Sequence, residues 1–417
     1  MFATFKQIFN PKNKDIRKKI YFTLFVLFIF KLGTTIVVPG INKAQLGLST
    51  LKYFELLNVM GGGALEQFSI FALGVSPYIT ASFIIQLLQM DIIPYLADLG
   101  KQGHTGQVKI NKITRYVGIL MAFIQGYMFS FAIISGGTFV EYLKFALILT
   151  AGTALLLWLG DQMTQKGIGN GISMIIMAGI LMTLPNMFVS AYQAFVTGGS
   201  VVGIIKFAIY VLLYIFIVLA VVYEQNAERR IPIQYANKST AVGGRQSYIP
   251  LRLNSAGVIP VIFASALLQV PAFIAQFIKV DALVTFTEKW LSLTSVTGFI
   301  LYILLIFGFS YFYTYAQLKP KDMASNLQKN GGYIPGVRPG EATEKHIKKI
   351  INRITFVGAI ALSVIAALPT IFVWVTGLGS QIALGGTGLL IVVGVALETY
   401  KQLESLLLSR NYSKGRR

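Results

Sequence analysis

Ten apolar stretches recur along the chain, at residues 20–38, 70–90, 114–134, 142–160, 168–188, 202–223, 255–277, 297–317, 354–374 and 381–399. A helix needs about 20 apolar residues to cross roughly 30 Å of hydrocarbon. The pattern therefore predicts an all-α polytopic membrane protein with ten transmembrane helices. The second and fifth runs are the ones most broken by Gly, Ser, Asn and Pro. Residues 61–85 read GGGALEQFSIFALGVSPYITASFII: three glycines, then Glu66 and Gln67, then Gly74, Ser76 and Pro77 almost side by side. Irregular backbone at membrane depth is tolerated only where it is buried in protein or lines a water-filled cavity. Residues 61–77 are thus expected to face an interior space. Either a re-entrant segment turns back at Gly61, Gly62 and Gly63, or an outer loop makes a flexible turn there.

The polar intervals set the orientation. With the N-terminus inside, the inner segments carry 29 Lys and Arg and the outer ones 5. That bias places both termini in the cytoplasm. The first run follows a basic tail, is long enough to span and has no small-residue cleavage site after it, so it reads as a retained signal anchor. Two inner loops, 224–254 and 319–352, are longer than a helix connection needs. Both are basic and contain Pro or Gly pairs, and each is expected to be an ordered hairpin-like protrusion. A cut in the outer segment 185–200 leaves five runs on each side, in opposite orientations. The expected domains are 1–190 and 191–417, an inverted repeat inferred from topology, with a site between the halves on broken helices.

Composition narrows the chemistry. The 417 residues are 55% hydrophobic and 12% charged, about half the charged share of a soluble protein. There is no cysteine, so disulfides, thiolate metal sites and thiol nucleophiles are excluded. No GxxxxGK[ST] or HExxH occurs, and the histidines, His104 and His346, stand in separate inner loops. The glycines of GIGNGIS, residues 167–173, have the wrong spacing for a dinucleotide loop and follow no strand. Charge away from the ends of the runs is nearly absent apart from Lys31 and Lys206. That argues against an ion-coupled relay. No cofactor, no metal and no enzymatic chemistry are expected.

Val75 and Ile79 lie four apart on one helix face, as do Ile172 and Ile176. Ordinary helix packing explains either pair alone, yet both stand beside breaks. The surrounding segments carry a resemblance. GVSPYITASFIIQLL (74–88), KGIGNGISMII (166–176), NSAGVIPVIFAS (254–265), IPGVRPGEATEKHI (334–347) and GGTGLLIVV (385–393) resemble, in order, the signature segments of the SecY family of protein-translocation channels. The resemblance implies two five-helix halves around a central pore with a re-entrant plug helix. It implies a pore ring of Val75, Ile79, Ile172, Ile176, Ile262 and Ile391, where Val75 replaces the usual isoleucine. The plug would be about 53–67, including Gly61, Gly62, Gly63 and Leu65. The second and seventh spans would form a lateral gate, with Gln86, Asn170 and Gln269 at or near it.

The family further implies a passive channel in the bacterial cytoplasmic membrane that takes preproteins bearing signal sequences and opens to membrane lipid. Its partners would be SecE, SecG, the SecA motor ATPase and the ribosome. Arg229, Arg230, Lys238, Arg245 and Arg338, at or near loop tips, are the expected docking residues, since basic tips suit acidic partners. Two other readings stay in view. The chain looks somewhat short for the family in its outer loops and C-terminal tail, which suits an accessory channel dedicated to a narrow client. Inverted halves also suit a secondary transporter.

Overall fold

The computed structural model describes residues 14–40, 55–89, 92–134, 136–196, 201–235, 247–278, 280–292, 295–376 and 380–414. Each of the ten apolar runs contributes one helix. In chain order these are α1 (Lys14–Thr35), α3 (Ser76–Leu88), α5 (Gly103–Ile133), α6 (Phe139–Lys166), α7 (Gly171–Val196), α8 (Val201–Asn226), α9 (Ile259–Ile278), α11 (Val296–Gln317), α13 (Glu341–Thr376) and α14 (Ser380–Lys414). Four short helices complete the set: α2 (Glu55–Met60), α4 (Pro94–Lys101), α10 (Asp281–Trp290) and α12 (Pro320–Lys329). Among the described residues, the helices of five runs (α6, α7, α8, α11 and α13) are long and apolar enough to span by length and composition.

Local chemistry sets several starts. Thr138 and Glu141 form a capping box at α6: the Thr138 hydroxyl accepts from the Glu141 amide, and the Glu141 carboxylate accepts from the Thr138 amide at 2.7 Å. The Ser295 hydroxyl accepts from the Gly298 amide at α11. Such caps satisfy donors that the first helical turn leaves unpaired.

Four boundaries differ from the sequence reading. The second run is not one helix: residues 61–75 are turns and α3 has only 13 residues, about 20 Å at 1.5 Å per residue. Ala64, Leu65, Phe68, Ser69, Phe71, Ala72 and Leu73 in those turns are buried, which is the condition under which non-helical backbone survives at this depth. The fifth run was expected to end near Pro185, but α7 continues through Pro185 to Val196. A proline inside a membrane helix is tolerated where neighbours re-satisfy the freed carbonyl. The last two helices also reach well beyond their apolar runs, α13 starting at Glu341 and α14 ending at Lys414.

The long inner loops do not stand apart. β1 (Glu228–Tyr235) pairs antiparallel with β2 (Ser247–Arg252) and also with β3 (Gly332–Tyr333), giving the order β2-β1-β3. Ile231, Ile233 and Leu251 of one loop pack with Leu327, Ile334, Ile347 and Ile351 of the other. The two expected protrusions are one small unit with its own core.

Charge is less sparse within the helices than the sequence suggested. Arg115 of α5 forms an ion pair with Asp161 of α6. Glu224, assigned to a loop, is buried in the last turn of α8.

Candidate functional site

Six aliphatic side chains from four helices meet at the centre. Val75 and Ile79 come from the start of α3, Ile172 and Ile176 from the first turns of α7, Ile262 from α9 and Ile391 from α14. All belong to one apolar cluster: Val75, Ile79, Ile176 and Ile391 are buried, and Ile172 and Ile262 are half-buried against them. Two of the four helices, α3 and α7, begin beside this point. Pro77 fixes the first turn of α3. The Asn170 side-chain oxygen accepts from the Ile172 and Ser173 amides at 3.1 and 3.4 Å and starts α7.

Against the cluster lies a cavity of about 340 Å³. Ile176, Ile262 and Ile391 reach it from the cluster, while Arg252, Asn254, Gln317, Glu398 and Lys401 give it polar walls. Burial and the neighbouring Arg252 guanidinium push the Lys401 ammonium below its ordinary range, with Glu228 and Glu404 pulling the other way. A vestibule with polar walls thus abuts an apolar cluster. An apolar constriction excludes water and ions by dewetting while it stays narrow.

On the other side of the cluster stands α2. Val59, Met60 and Ala64 pack into it. The chain turns back at Gly62 and Gly63, with φ of +72° and +79°, a conformation glycine adopts without a Cβ penalty. It leaves by a bridge between Ser69 and Val37 after α1. Gly61 is buried. Leu65 is buried too, but in a neighbouring cluster with Phe68, Phe129, Tyr142 and Phe145. Of the expected plug, residues 53 and 54 lie outside the described residues.

The seam between α3 and α9 holds a feature that periodicity did not single out. Phe83 of α3 packs on Phe263 of α9 with ring centroids 4.8 Å apart, and its ring meets Phe309 of α11 edge-on at 5.3 Å. Gln86 and Gln269 are half-buried on the two seam helices. Asn170 is on neither: it caps α7 and lines the vestibule. Aromatic residues in two runs were the only available signal, and apolar runs are full of them.

The basic loop residues separate. Arg229 and Arg230 are exposed, but they pair with Leu251 and Pro250 near the root of the hairpin rather than at its tip. Strand pairing extends the chain away from them. Arg230 Nε stands 2.8 Å from a Glu228 carboxylate oxygen, and its guanidinium lies 4.9 Å from the Tyr248 ring centroid. The Glu228 hydrogen bond pushes the Arg230 pKa up from its ordinary value. Lys238 and Arg245 lie outside the described residues. Arg338 is exposed in a turn flanked by Gly336 and Gly340, with φ of +81° and +97°. Its carbonyl accepts from the buried Thr343 hydroxyl at 2.8 Å, so the turn is fixed while the guanidinium faces solvent.

Comparison with known proteins agrees with this geometry. The family model described as SecY matches residues 69–400. The chain is 47% identical to the protein translocase subunit SecY of Bacillus subtilis (strain 168), over 98% of both chains. It is 47% identical to the protein of that name from Staphylococcus aureus (strain NCTC 8325 / PS 47), over 96% of both. The chain is therefore not short beside these relatives, contrary to the expectation from its loops and tail. Among solved structures it is similar in fold to a protein-conducting channel, with a TM-score of 0.68 at 23% identity over 94% of this chain and 92% of that one. It is similar too to Sec61 in a canine ribosome–channel complex from the endoplasmic reticulum, with a TM-score of 0.66 at 21% identity over 94% and 92%. These matches replace the secondary-transporter reading. The chain belongs to the SecY family, and is a multi-pass channel subunit of a protein translocase rather than an enzyme.

Proposed function

We propose that this channel passes unfolded preproteins across the bacterial cytoplasmic membrane and releases membrane-protein helices sideways into the lipid. The observation that carries the reading is the meeting of Val75, Ile79, Ile172, Ile176, Ile262 and Ile391 in one apolar cluster against a polar vestibule. An aliphatic ring can fit around an extended peptide of any sequence and makes no directional bond that would hold it. Closed, it excludes ions. Residues 55–67 act as the plug outside the ring. Residues 1–190 and 191–417 act as two halves that part at the α3–α9 seam, where an apolar signal helix favours the open state and shifts its population. Both termini are cytoplasmic.

The driving force comes from outside the chain. SecA and the ribosome dock on the cytoplasmic sheet unit, with Arg338 as the principal contact. SecE and SecG complete the complex, SecE bracing the two halves. Basic side chains on this face suit acidic partners through counterion release.

Protease protection tests the reading. The chain is reconstituted with SecE and SecG in proteoliposomes, with SecA, ATP and an ordinary secretory preprotein outside. Protection that needs both ATP and the signal sequence is expected. A well-folded complex that protects nothing would point instead to an accessory channel with its own motor. In the same assay Arg338→Glu should abolish protection while the protein remains folded and inserted. Undiminished SecA-driven transport would remove Arg338 from the docking site.

A further inference from the structure

The segment from α2 to its turn leans on α7 through two glycines. A Cβ built on Gly179 would stand 2.2 Å from the Met60 carbonyl oxygen and 3.1 Å from the Gly62 nitrogen. A Cβ on Gly62 would stand 3.2 Å from the Gly179 Cα. The obstacles are backbone atoms, which cannot swing aside as the end of a long side chain can. Gly179 also lies three residues, one helical turn, after Ile176 and so shares a face of α7 with it, and Ile176 belongs to the central cluster. The leaning segment is tied to itself. The Gly63 amide donates to the Asn58 carbonyl at 2.9 Å, and the Asn58 side-chain oxygen accepts from the Glu66 amide at 3.2 Å. A compact piece bonded in this way shifts as one body when its contact surface is displaced.

We infer that Gly179 is the seat of the plug. It is a positioning residue whose missing side chain lets the Met60–Gly62 backbone close against α7, and the resting seal depends on that approach. The inference rests on the reading of residues 55–67 as the plug. The six ring side chains make their own apolar contacts whatever stands at position 179, so seating and ring closure are separable.

The absence of cysteine from the chain makes the test clean. Ala64, fully buried beside the ring, is changed to Cys as a reporter. The channel, complexed with SecE and SecG in proteoliposomes, is then labelled with a water-soluble maleimide. Labelling should be slow at rest and should accelerate when a preprotein engages. Adding Gly179→Val should speed resting labelling roughly 5- to 150-fold, the shift that overpacking of a tight contact produces. Ion leak should rise in parallel, and Gly179→Ala should act in the same direction more weakly. A second reporter, Ile217→Cys, is fully buried in α8, in a cluster that holds neither plug nor ring residues, and should stay unlabelled. Unchanged Ala64→Cys labelling in both Gly179 variants overturns the seat. So does equal labelling of Ile217→Cys, which would make Gly179 a packing residue of the whole bundle. If a preprotein fails to accelerate labelling in the parent channel, the plug reading fails first and the seat fails with it. The two failures are thereby distinguished.

Discussion

Ile79 is 9% exposed and shares its apolar cluster with Val75 at the start of its own helix and with side chains from α7, α9 and α14. An asparagine there would place an amide in the closed constriction with no partner at hand. Leaving a buried polar group unpaired costs about 1–3 kcal/mol, which corresponds to roughly a 5- to 150-fold shift between two states. Ile79→Asn and Ile262→Asn should therefore raise ion conductance of the resting channel and allow export of preproteins with defective signals. Unchanged leak and unchanged signal stringency would remove both residues from the ring. Asn170 makes a different kind of contribution, through its cap on α7. Asn170→Ala should lower stability by about 1 kcal/mol, read as a small drop in melting temperature, with signal stringency intact. Phe68 shows what a residue alone conceals. Its φ of +46° is left-handed, a cost of about 1–3 kcal/mol that stacking on Phe129 at 5.7 Å helps to hold. Nothing in the string FSIF announces that conformation.

At the scale of elements, the helices were legible because a membrane requires length and apolarity, and both are countable. Where they stop was less so. The α3 start depends on most of residues 61–75 being buried by other helices, and the extension of α13 depends on a sheet that caps it. Two predictions belong here. Phe83→Ala removes two aromatic contacts of roughly 0.5–1.5 kcal/mol each from the α3–α9 seam. It should loosen the closed gate and relax signal stringency without wetting the ring, measured as export of a defective-signal preprotein at near-normal ion leak. If stringency is unchanged, the seam is packing and not a gate. Ile347 is fully buried under the three-stranded sheet. Ile347→Ala should cost about 2–5 kcal/mol locally. The β1–β2 hairpin should become open to limited proteolysis while the membrane helices stay protected. Loss of the whole chain to protease would instead mean that the sheet unit is not separately cooperative.

For the whole molecule, one turn joins elements far apart in sequence. The Thr23 hydroxyl of α1 accepts from the Ile168 amide at 3.1 Å, and the Gln402 side-chain oxygen of α14 accepts from the Gly169 amide at 2.8 Å. In the two-half reading this polar joint ties the halves together while α3 and α9 meet at the seam. Gln402→Leu strands the Gly169 donor, at a cost of about 1–3 kcal/mol. It should lower the melting temperature of the purified complex. Gln402→Glu keeps an acceptor and should restore it. Equal destabilisation by both would show that the amide bond is not what matters there.

The sequence by itself determined the membrane class, the ten apolar runs, the inward bias of basic residues and the family signature segments. These follow from local quantities: a length of apolar chain, the position of a charge, the order of a motif. The six candidate ring residues could be named from motif matching, but nothing in the string placed them together. Contacts between α3, α7, α9 and α14 did that, because residues from 75 to 391 converge only when four helices pack. The joining of two loops into one sheet, the Phe83–Phe263 seam, and the approach of Gly179 to Gly62 arose in the same way. Each is a meeting of surfaces distant along the chain, and only tertiary packing decides which surfaces meet.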